Sequence, residues 1–387
     1  MPLKIAIPFR AQASAFGSGK SQAALAIAEV CQAAGHEVTL LHRDEQVWWG
    51  DIPGLEDKYV VTDLSGNTTK HDVVIDLDGC LDPDVRSALG TKVVVFFRSD
   101  PSFEYLEKAA YMSQETSYSL QGVHEVWVWD KMVGEERVPL LQTMLENLPV
   151  RRLPYVWTSS ILEQYLRLNA ENEIKEGQET SGKWTAIISE KNNTNTSSCI
   201  LPLLGATKAP NVEEIILCNA AHLKENQFFQ ENLVRNGITI PASVHYEGRI
   251  RYPDLAGETS CLFVCHTRHV PFRPGLLDLL WLQLPLVHNC SMLKSVGHYY
   301  AENDLDGMGK AIAAARPDLG GRAFLESNFS IRAGVSGFAE ALETLRSHSD
   351  IPVLRIAFSD MWEGFDPKDN FFLDLLQSVQ TLSLIHI

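Results

Sequence analysis

The 387 residues, 45% of them hydrophobic and 21% charged, suffice for two globular domains that each bury a core. The formal charge of −16 argues against a protein that coats nucleic acid or an anionic membrane, because both functions need basic faces. The opening MPLKIAIPFR is not signal-like and no apolar run approaches about 18 residues, so we expect a cytoplasmic protein without a transmembrane segment.

The first half of the chain alternates short apolar runs with helical patterns. A strand over 3–9 leads through a Gly-rich loop into an Ala-rich helix that ends at Gly35, and a second strand follows at once. Further apolar runs follow up to HEVWVWD at 124–130. The pattern predicts a doubly wound, Rossmann-like domain over residues 1–155, with five or six mostly parallel strands.

A polar helix and a charged, Gly-containing segment then predict an interdomain crossover over residues 156–183. A second α/β pattern starts at WTAIISE and predicts another Rossmann-like domain over residues 184–350. Its most informative stretch, 261–309, runs strand, loop, helix, strand, loop. Beyond Asp350 the pattern restarts without a completing strand, so we expect 351–387 to be the truncated start of a further domain.

Two features of the first domain are candidates for acceptor chemistry. The turn Gly17-Ser18-Gly19 precedes a helix, and its N–H groups are suited to an anion or an acceptor hydroxyl, or they form only a tight turn. A phosphate-binding Walker loop is disfavoured because Ser14 stands where that pattern needs Gly. Asp100 follows a strand and is either a catalytic base or the cap of the next helix.

Polar residues also follow the strands of the second domain. Glu190 and Asn192 either cap a helix or meet the phosphate or sugar of a ligand, and Arg249 is either a surface ion pair or the fixed cation that a diphosphate requires. Asp278 is a carboxylate in an apolar helix, which is costly unless it binds something such as the vicinal diol of a ribose. His266 is a general base or phosphate donor, or a satisfied loop histidine.

The seven cysteines form no CxxC pair. Cys261 and Cys265 lie four residues apart, but no second Cys/His pair stands at a suitable spacing. We therefore expect buried reduced thiols and no metal site.

The opening loop, the helix ending in AAGHEV and the run from Asp278 through PLVHN resemble GT-B-fold glycosyltransferases, in which two Rossmann-like domains face a cleft. Many members carry a Glu-x7-Glu pattern whose second Glu binds the donor ribose; Asp278 takes that position here and Val270 replaces the first Glu. The resemblance implies a donor-binding second domain. We expect the donor contacts to come from these residues: Glu190, Asn192, Arg249, Asp278, His288, Asn289 and Lys294.

Two further resemblances concern other parts of the chain. Glu190 with Asn192, the PYVW element at 154–157 and PLVHN followed by Lys294 are similar to an uncharacterised bacterial family of GT-B-like proteins. The run IAFSDMWEGFDPKDNFF in 353–377 resembles the start of α1,3-fucosyltransferase-like domains, which implies a fused downstream glycosyltransferase domain.

The sequence as a whole predicts a metal-independent glycosyltransferase that needs no cofactor. It would move a sugar from a nucleotide-diphosphate donor to a glycan or other hydroxyl acceptor, with Asp100 and His266 as candidate catalytic residues. Two alternatives remain open: a GT-B-type nucleotide-sugar epimerase, and a non-catalytic sugar-binding or scaffolding module.

Overall fold

The structure is a computed structural model of the chain. It describes residues 1–9, 16, 19–42, 54, 57–65, 67, 69–103, 120–169, 183–190, 192, 197–235, 244–255, 258 and 260–347. The chain divides into two compact units, Met1–Arg346 and Ser347–Ile387. The predicted truncated domain at 351–387 lies outside the described residues, and the predicted domain boundaries stay a prediction.

The first sheet has seven strands, all parallel, in the order β3-β2-β1-β4-β5-β6-β7. Its strands are β1 Lys4–Phe9, β2 Glu37–His42, β3 Val60–Asp63, β4 His71–Leu77, β5 Gly90–Phe97, β6 Glu125–Trp129 and β7 Val150–Leu153. The central strands are apolar on both faces because helices cover both sides of a parallel sheet. The strand beyond the predicted six is β7, a four-residue edge strand with two arginines and therefore little apolar signal.

Three described helices connect these strands, α1 Gly19–Ala33, α2 Pro83–Leu89 and α3 Val138–Met144, and α4 Ser160–Leu168 follows β7. Helix α1 is rich in alanine, the best helix former, and buries Ala24, Ala26 and Ala28. Gly35 ends it with φ = 88°, a backbone conformation that glycine adopts at little cost.

The second sheet has six parallel strands in the order β10-β9-β8-β11-β12-β13. Its strands are β8 Trp184–Ser189, β9 Val212–Cys218, β10 Val244–Tyr246, β11 Cys261–Val264, β12 Leu286–His288 and β13 His298–Tyr299. In both sheets the strand order reverses beside the first strand, between β1 and β4 and between β8 and β11. Such switch points are where open parallel sheets bind ligands, at the carboxyl ends of the strands.

Six described helices accompany the second sheet or follow it: α5 Ile200–Lys208, α6 Gln227–Arg235, α7 Pro274–Trp281, α8 Leu305–Ala313, α9 Gly321–Asn328 and α10 Ile331–Ser347. Helix α10 packs on the first sheet, where Phe338 lies 6.1–6.3 Å, between ring centroids, from Phe96, Trp127 and Trp129. Two glycines allow this approach, since a Cβ on Gly334 would meet Val156 at 2.2 Å and one on Gly337 would meet Pro154 at 2.7 Å.

The described helices include none whose length and apolar content would let it cross a membrane.

Candidate functional site at the carboxyl edges of the two sheets

Most of the predicted site residues follow strands at the carboxyl edges of the sheets. These are Asp100 after β5, Glu190 and Asn192 after β8, Arg249 after β10, His266 after β11, and His288 and Asn289 at the end of β12. Lys294 follows a short helical turn after β12, Asp278 lies within α7 and Gly19 begins α1. Gly17 and Ser18 lie outside the described residues.

The carboxyl edges of the two sheets are in contact. The ring of Phe103, six residues beyond the end of β5, stacks on that of His269, which follows β11, with centroids 5.8 Å apart. His269 adopts φ = 60°, a backbone conformation that non-glycine residues seldom take. The Arg137 guanidinium is a second neighbour of the Phe103 ring and lies 4.7 Å from its centroid. Residues from both halves of the chain therefore meet at this edge.

Glu190 is fully buried and forms a two-pronged ion pair with Arg273. The two contacts are 2.6 Å from Nη2 to Oε1 and 2.7 Å from Nη1 to Oε2. Ser197 Oγ and the His266 N–H also donate to this carboxylate, at 2.5 and 3.2 Å. Burial raises the pKa of Glu190, and the charge of Arg273 opposes that rise. The pair joins β8, the start of α5 and the loop after β11.

Asn192 shapes the loop between β8 and α5. Its Oδ1 accepts from the Cys199 N–H at 2.8 Å, and its Nδ2 donates to the carbonyl oxygens of Cys218 and Glu190 at 3.1 and 3.2 Å. Its backbone has φ = 59°. Asn192 thus ties the residue that precedes α5 to the end of β8, while Cys199, the N-cap residue of α5, makes no side-chain capping hydrogen bond. A contact of Asn192 with a ligand stays a prediction.

His266 is buried, with one ring nitrogen engaged. Nδ1 lies 2.9 Å from the Tyr300 hydroxyl, which also donates to the Cys265 carbonyl at 3.1 Å. Within the described residues, Nε2 is buried and has no hydrogen-bond partner. Burial, with the charges of Arg268 and Arg273, lowers the pKa of His266 to about 4, so the ring is neutral at pH 7.

Asn289 ties the loop after β12 to the loop after β11. Its Oδ1 accepts from the Thr267 N–H at 2.8 Å, and its Nδ2 donates to the Thr267 carbonyl at 2.9 Å. The neighbouring His288 is buried, and its Nδ1 accepts from the Cys290 N–H, so Nε2 carries the proton and donates to the Val296 carbonyl at 2.9 Å. Burial lowers the pKa of His288 to about 4. Both ring nitrogens of His288 thus serve the fold.

The two predicted cations of the donor side are exposed. Lys294 Nζ lies 5.5 Å from the centroid of the Tyr299 ring, a cation–π contact that leaves the ammonium in water. Arg249 follows β10 on an exposed stretch. Arg268, between His266 and His269, is a third exposed cation at this edge.

Asp278 joins the two halves of the chain. Its Oδ2 accepts from Gln22 Nε2 on α1 at 2.7 Å, and its Oδ1 accepts from Trp157 Nε1 at 3.0 Å. Burial raises the pKa of Asp278 to about 6, and the two hydrogen bonds oppose that rise. The carboxylate that looked unpaired in the sequence therefore has a partner for each oxygen, while its predicted contact with a ribose stays a prediction.

Asp100 is buried, accepts two hydrogen bonds and forms one ion pair. Oδ1 accepts from the N–H and the hydroxyl of Ser102 at 2.9 and 2.6 Å, and Oδ2 lies 2.9 Å from Arg137 Nε. The cap-like contact with Ser102 and the ion pair with Arg137 hold the carboxylate in one orientation beside Phe103. A carboxylate has about four lone-pair positions, so these contacts leave room for a further donor.

A second group of charges lies at the start of α1. Asp78 Oδ2 accepts from Arg98 Nε at 2.8 Å and lies 3.4 Å from Lys20 Nζ. Burial raises the pKa of Asp78, but the two cations outweigh burial and the net pKa is lowered. A Cβ on Gly19 would lie 3.4 Å from Arg98 Nη1, so the guanidinium sits against the first turn of the helix. Two cations and a helix N-terminus give this spot a positive potential.

Several partners of the site residues could not be assigned to them from the sequence. Arg137, Gln22 and Trp157 lie far along the chain from the carboxylates that they contact, and spacing alone does not link them. Tyr300 and Arg273 stood within predicted loops, but nothing local assigned them to His266 and Glu190. No group of three or more His, Cys, Asp or Glu side chains suited to a metal occurs among the residues that the structure describes.

One family model matches most of the chain. The family described as "Protein of unknown function (DUF2827)" matches residues 4–319. No relative with a curated description matches the sequence.

Solved structures are similar over most of the chain. An alpha-glucosyltransferase in complex with UDP and a 13-mer DNA containing a HMU base has a TM-score of 0.58 at 12% identity, covering 89% of this chain and 100% of that chain. Anabaena Alr3699/HepE in complex with UDP-glucose has a TM-score of 0.51 at 12% identity, covering 88% and 100%. At such identities the likeness concerns the fold, and it confirms the predicted arrangement of two Rossmann-like domains of GT-B type.

Proposed function

We propose that this chain, which belongs to the family described as "Protein of unknown function (DUF2827)", is a metal-independent glycosyltransferase. It moves a sugar from a nucleotide-diphosphate donor to a hydroxyl of a glycan or another acceptor. The observation that carries the proposal is the contact between the carboxyl edges of two parallel sheets, with polar and charged residues of both edges brought together. Similar structures were solved with UDP and with UDP-glucose bound.

The second sheet supplies the donor side. The Glu190–Arg273 pair joins the end of β8 to the residue before α7, and the Asn289–Thr267 clasp joins the segments after β11 and β12. Fixed positions of this kind are what orienting a substrate requires. Arg249, Lys294 and Arg268 are the exposed cations that balance the diphosphate. In a chain of charge −16, an anionic donor has to be held by such local cations.

Asp278 and its neighbours connect the donor side with the acceptor side. Each oxygen of Asp278 accepts one hydrogen bond and keeps one lone pair for a ribose hydroxyl. The predicted ribose contact is therefore compatible with the hydrogen bonds from Gln22 and Trp157. His288 and Asn192 support the donor loops through the contacts described above. Negative charge develops on the leaving diphosphate, and the exposed cations stabilise it there. The proposal therefore assigns no metal to this step.

The first sheet supplies the acceptor side. Asp100, held by Ser102 and Arg137, is the proposed base that accepts the proton of the acceptor hydroxyl as the hydroxyl oxygen attacks the anomeric carbon. The start of α1, with Gly19 preceded by Gly17 and Ser18, is the proposed acceptor surface. His266 is the second candidate for a direct role in the reaction.

Turnover measurements test the proposal. Purified protein is incubated with nucleotide sugars, with and without a panel of glycan acceptors, and release of the nucleoside diphosphate is followed in the presence of a chelator. We expect acceptor-dependent release that the chelator leaves unchanged. Asp100→Asn should lower kcat by roughly 100-fold or more, the usual size of a general-base effect. Asp84→Asn, an exposed carboxylate on α2, is the charge-matched control.

The same assay separates the two alternatives. A nucleotide-sugar epimerase would convert the sugar without an acceptor. A sugar-binding or scaffolding module would bind the nucleotide sugar without releasing product, and Asp100→Asn would change nothing. Either result would replace the proposed transfer.

A further inference from the structure

We propose that His266 Nε2 accepts a hydrogen bond from a hydroxyl of the transferred sugar and thereby helps to select that sugar. The inference rests on the proposed function, and it gives His266 a role other than phosphate donor or general base.

The contacts of Tyr300 fix the tautomer of His266. The Tyr300 hydroxyl has one proton, and the Cys265 carbonyl, which has none to give, takes it at 3.1 Å. The hydroxyl oxygen is then the acceptor for His266 Nδ1, 2.9 Å away, so Nδ1 carries the ring proton. In a neutral ring the other nitrogen, Nε2, presents a bare lone pair.

The surroundings keep that lone pair unprotonated. The charges of Arg268 and Arg273 and the burial of the ring all disfavour the imidazolium, and the pKa of His266 falls to about 4. The Glu190 carboxylate accepts from the backbone N–H of His266 and is paired with Arg273. An unprotonated Nε2 cannot donate a hydrogen bond to a phosphate oxygen. A base this weak is also poorly suited to accept a proton at neutral pH. A hydroxyl is the group it suits.

His266 lies at the carboxyl edge of the second sheet, where a sugar is proposed to bind. His266 follows β11 beside the switch point, and the neighbouring Thr267 is clasped by Asn289. Within the described residues, Nε2 has no hydrogen-bond donor, and burying an acceptor without a donor is unfavourable. A sugar hydroxyl supplies that donor, and a site that needs a hydroxyl rejects a ligand that lacks it.

Calorimetry with UDP and UDP-glucose tests the role, because the two ligands differ only in the sugar. In wild-type protein UDP-glucose binds with a free energy that includes the contact with Nε2. We expect His266→Phe to weaken UDP-glucose by roughly tenfold while the Kd for UDP stays within about twofold. His266→Gln, whose amide oxygen is an acceptor, should restore part of the loss. His222→Phe, an exposed histidine, is the matched control, and melting temperatures monitor folding.

The outcomes distinguish the role of His266 from the proposed function. Equal weakening of UDP and UDP-glucose, or no change in either, would overturn the role of His266 while leaving the transferase proposal in place. Failure of wild-type protein to bind both ligands would instead count against the proposed function with this donor.

An independent measurement needs no ligand. In ¹⁵N-histidine-labelled protein at pH 7, with His266 assigned by its loss in His266→Phe, the NMR spectrum should show a proton on Nδ1 and none on Nε2. Tyr300→Phe removes the oxygen that fixes this tautomer and should populate the other one. A proton on Nε2 in wild-type protein would overturn the inference.

Discussion

Residue by residue, the edge of the second sheet depends on Glu190, a carboxylate sealed from water and held by a single guanidinium. Removing one partner of a buried pair leaves an uncompensated charge, which costs far more than the pair itself contributes. The Ser197 hydroxyl and the His266 N–H share the same carboxylate, so the loops around it depend on the pair.

We expect Arg273→Met to lower the free energy of unfolding by about 3–5 kcal/mol, measured by urea denaturation. Arg251→Met is the control, because Arg251 pairs with Asp254 at a half-exposed position and such pairs contribute about 1 kcal/mol or less. The double variant Glu190→Gln with Arg273→Met should recover part of the loss. Equal, small effects for Arg273→Met and Arg251→Met would contradict the account.

These contacts also mark the limit of sequence-based prediction at the residue scale. Glu190, Asp100 and Asp278 were recognised as candidates from their places after strands or within an apolar helix. Their partners were not, because Arg273 lies 83 residues from Glu190 and Gln22 lies 256 residues from Asp278. Only the tertiary fold brings such pairs together, so local sequence patterns cannot predict them.

At the scale of elements, α1 and α7 are joined by one buried carboxylate. Asp278 on α7 accepts from Gln22 on α1 and from Trp157 on the segment between the sheets. The pKa of this carboxyl is about 6 in the folded protein, against an ordinary value near 4, because burial outweighs the two hydrogen bonds. Between these two values the folded state binds more protons than the unfolded state.

It follows that ionisation of Asp278 costs stability as the pH rises from about 4 to about 6. Asp278→Asn cannot ionise, so the free energy of unfolding of the variant, relative to wild type, should rise across this window by on the order of 1–3 kcal/mol. Urea denaturation at a series of pH values measures this. His266 and His288, whose lowered pKa values give the opposite slope, are present in both proteins and cancel. A pH-independent difference would refute the burial argument.

Elements themselves were largely predictable. Strands β1, β4, β5 and β8 are apolar runs because parallel strands are covered on both faces, and the sequence marks them clearly. Strand β7 was missed because a short edge strand carries few apolar residues. The packing of α10 was also missed, because an amphipathic pattern predicts that one helix face is buried but does not indicate which sheet it packs against.

For the molecule as a whole, α10 is the element that returns from the second sheet to the first. Phe338 is fully buried against Phe96, Trp127 and Trp129. Truncation of a buried aromatic side chain leaves a cavity. The helix therefore stabilises a sheet from which it is separated by the whole second α/β pattern.

We predict that Phe338→Ala lowers the free energy of unfolding by about 3–5 kcal/mol and increases hydrogen exchange in β5 and β6. Leu319→Ala, at a position 67% exposed, should change stability by about 0.5 kcal/mol or less. Unfolding by urea and exchange followed by mass spectrometry provide the two readouts. Unchanged exchange in β5 and β6 would show that α10 does not support the first sheet.

The central claim is that the meeting edges of the two sheets bind a nucleotide sugar. Its most direct test is isothermal titration calorimetry of the wild-type protein with a panel of nucleotide-diphosphate sugars, including UDP-glucose. We predict saturable binding of at least one, weakened by Arg249→Ala and Arg268→Ala and unaffected by Arg332→Ala, an exposed arginine on α10 that carries the same charge. Absence of binding across the panel would contradict the account.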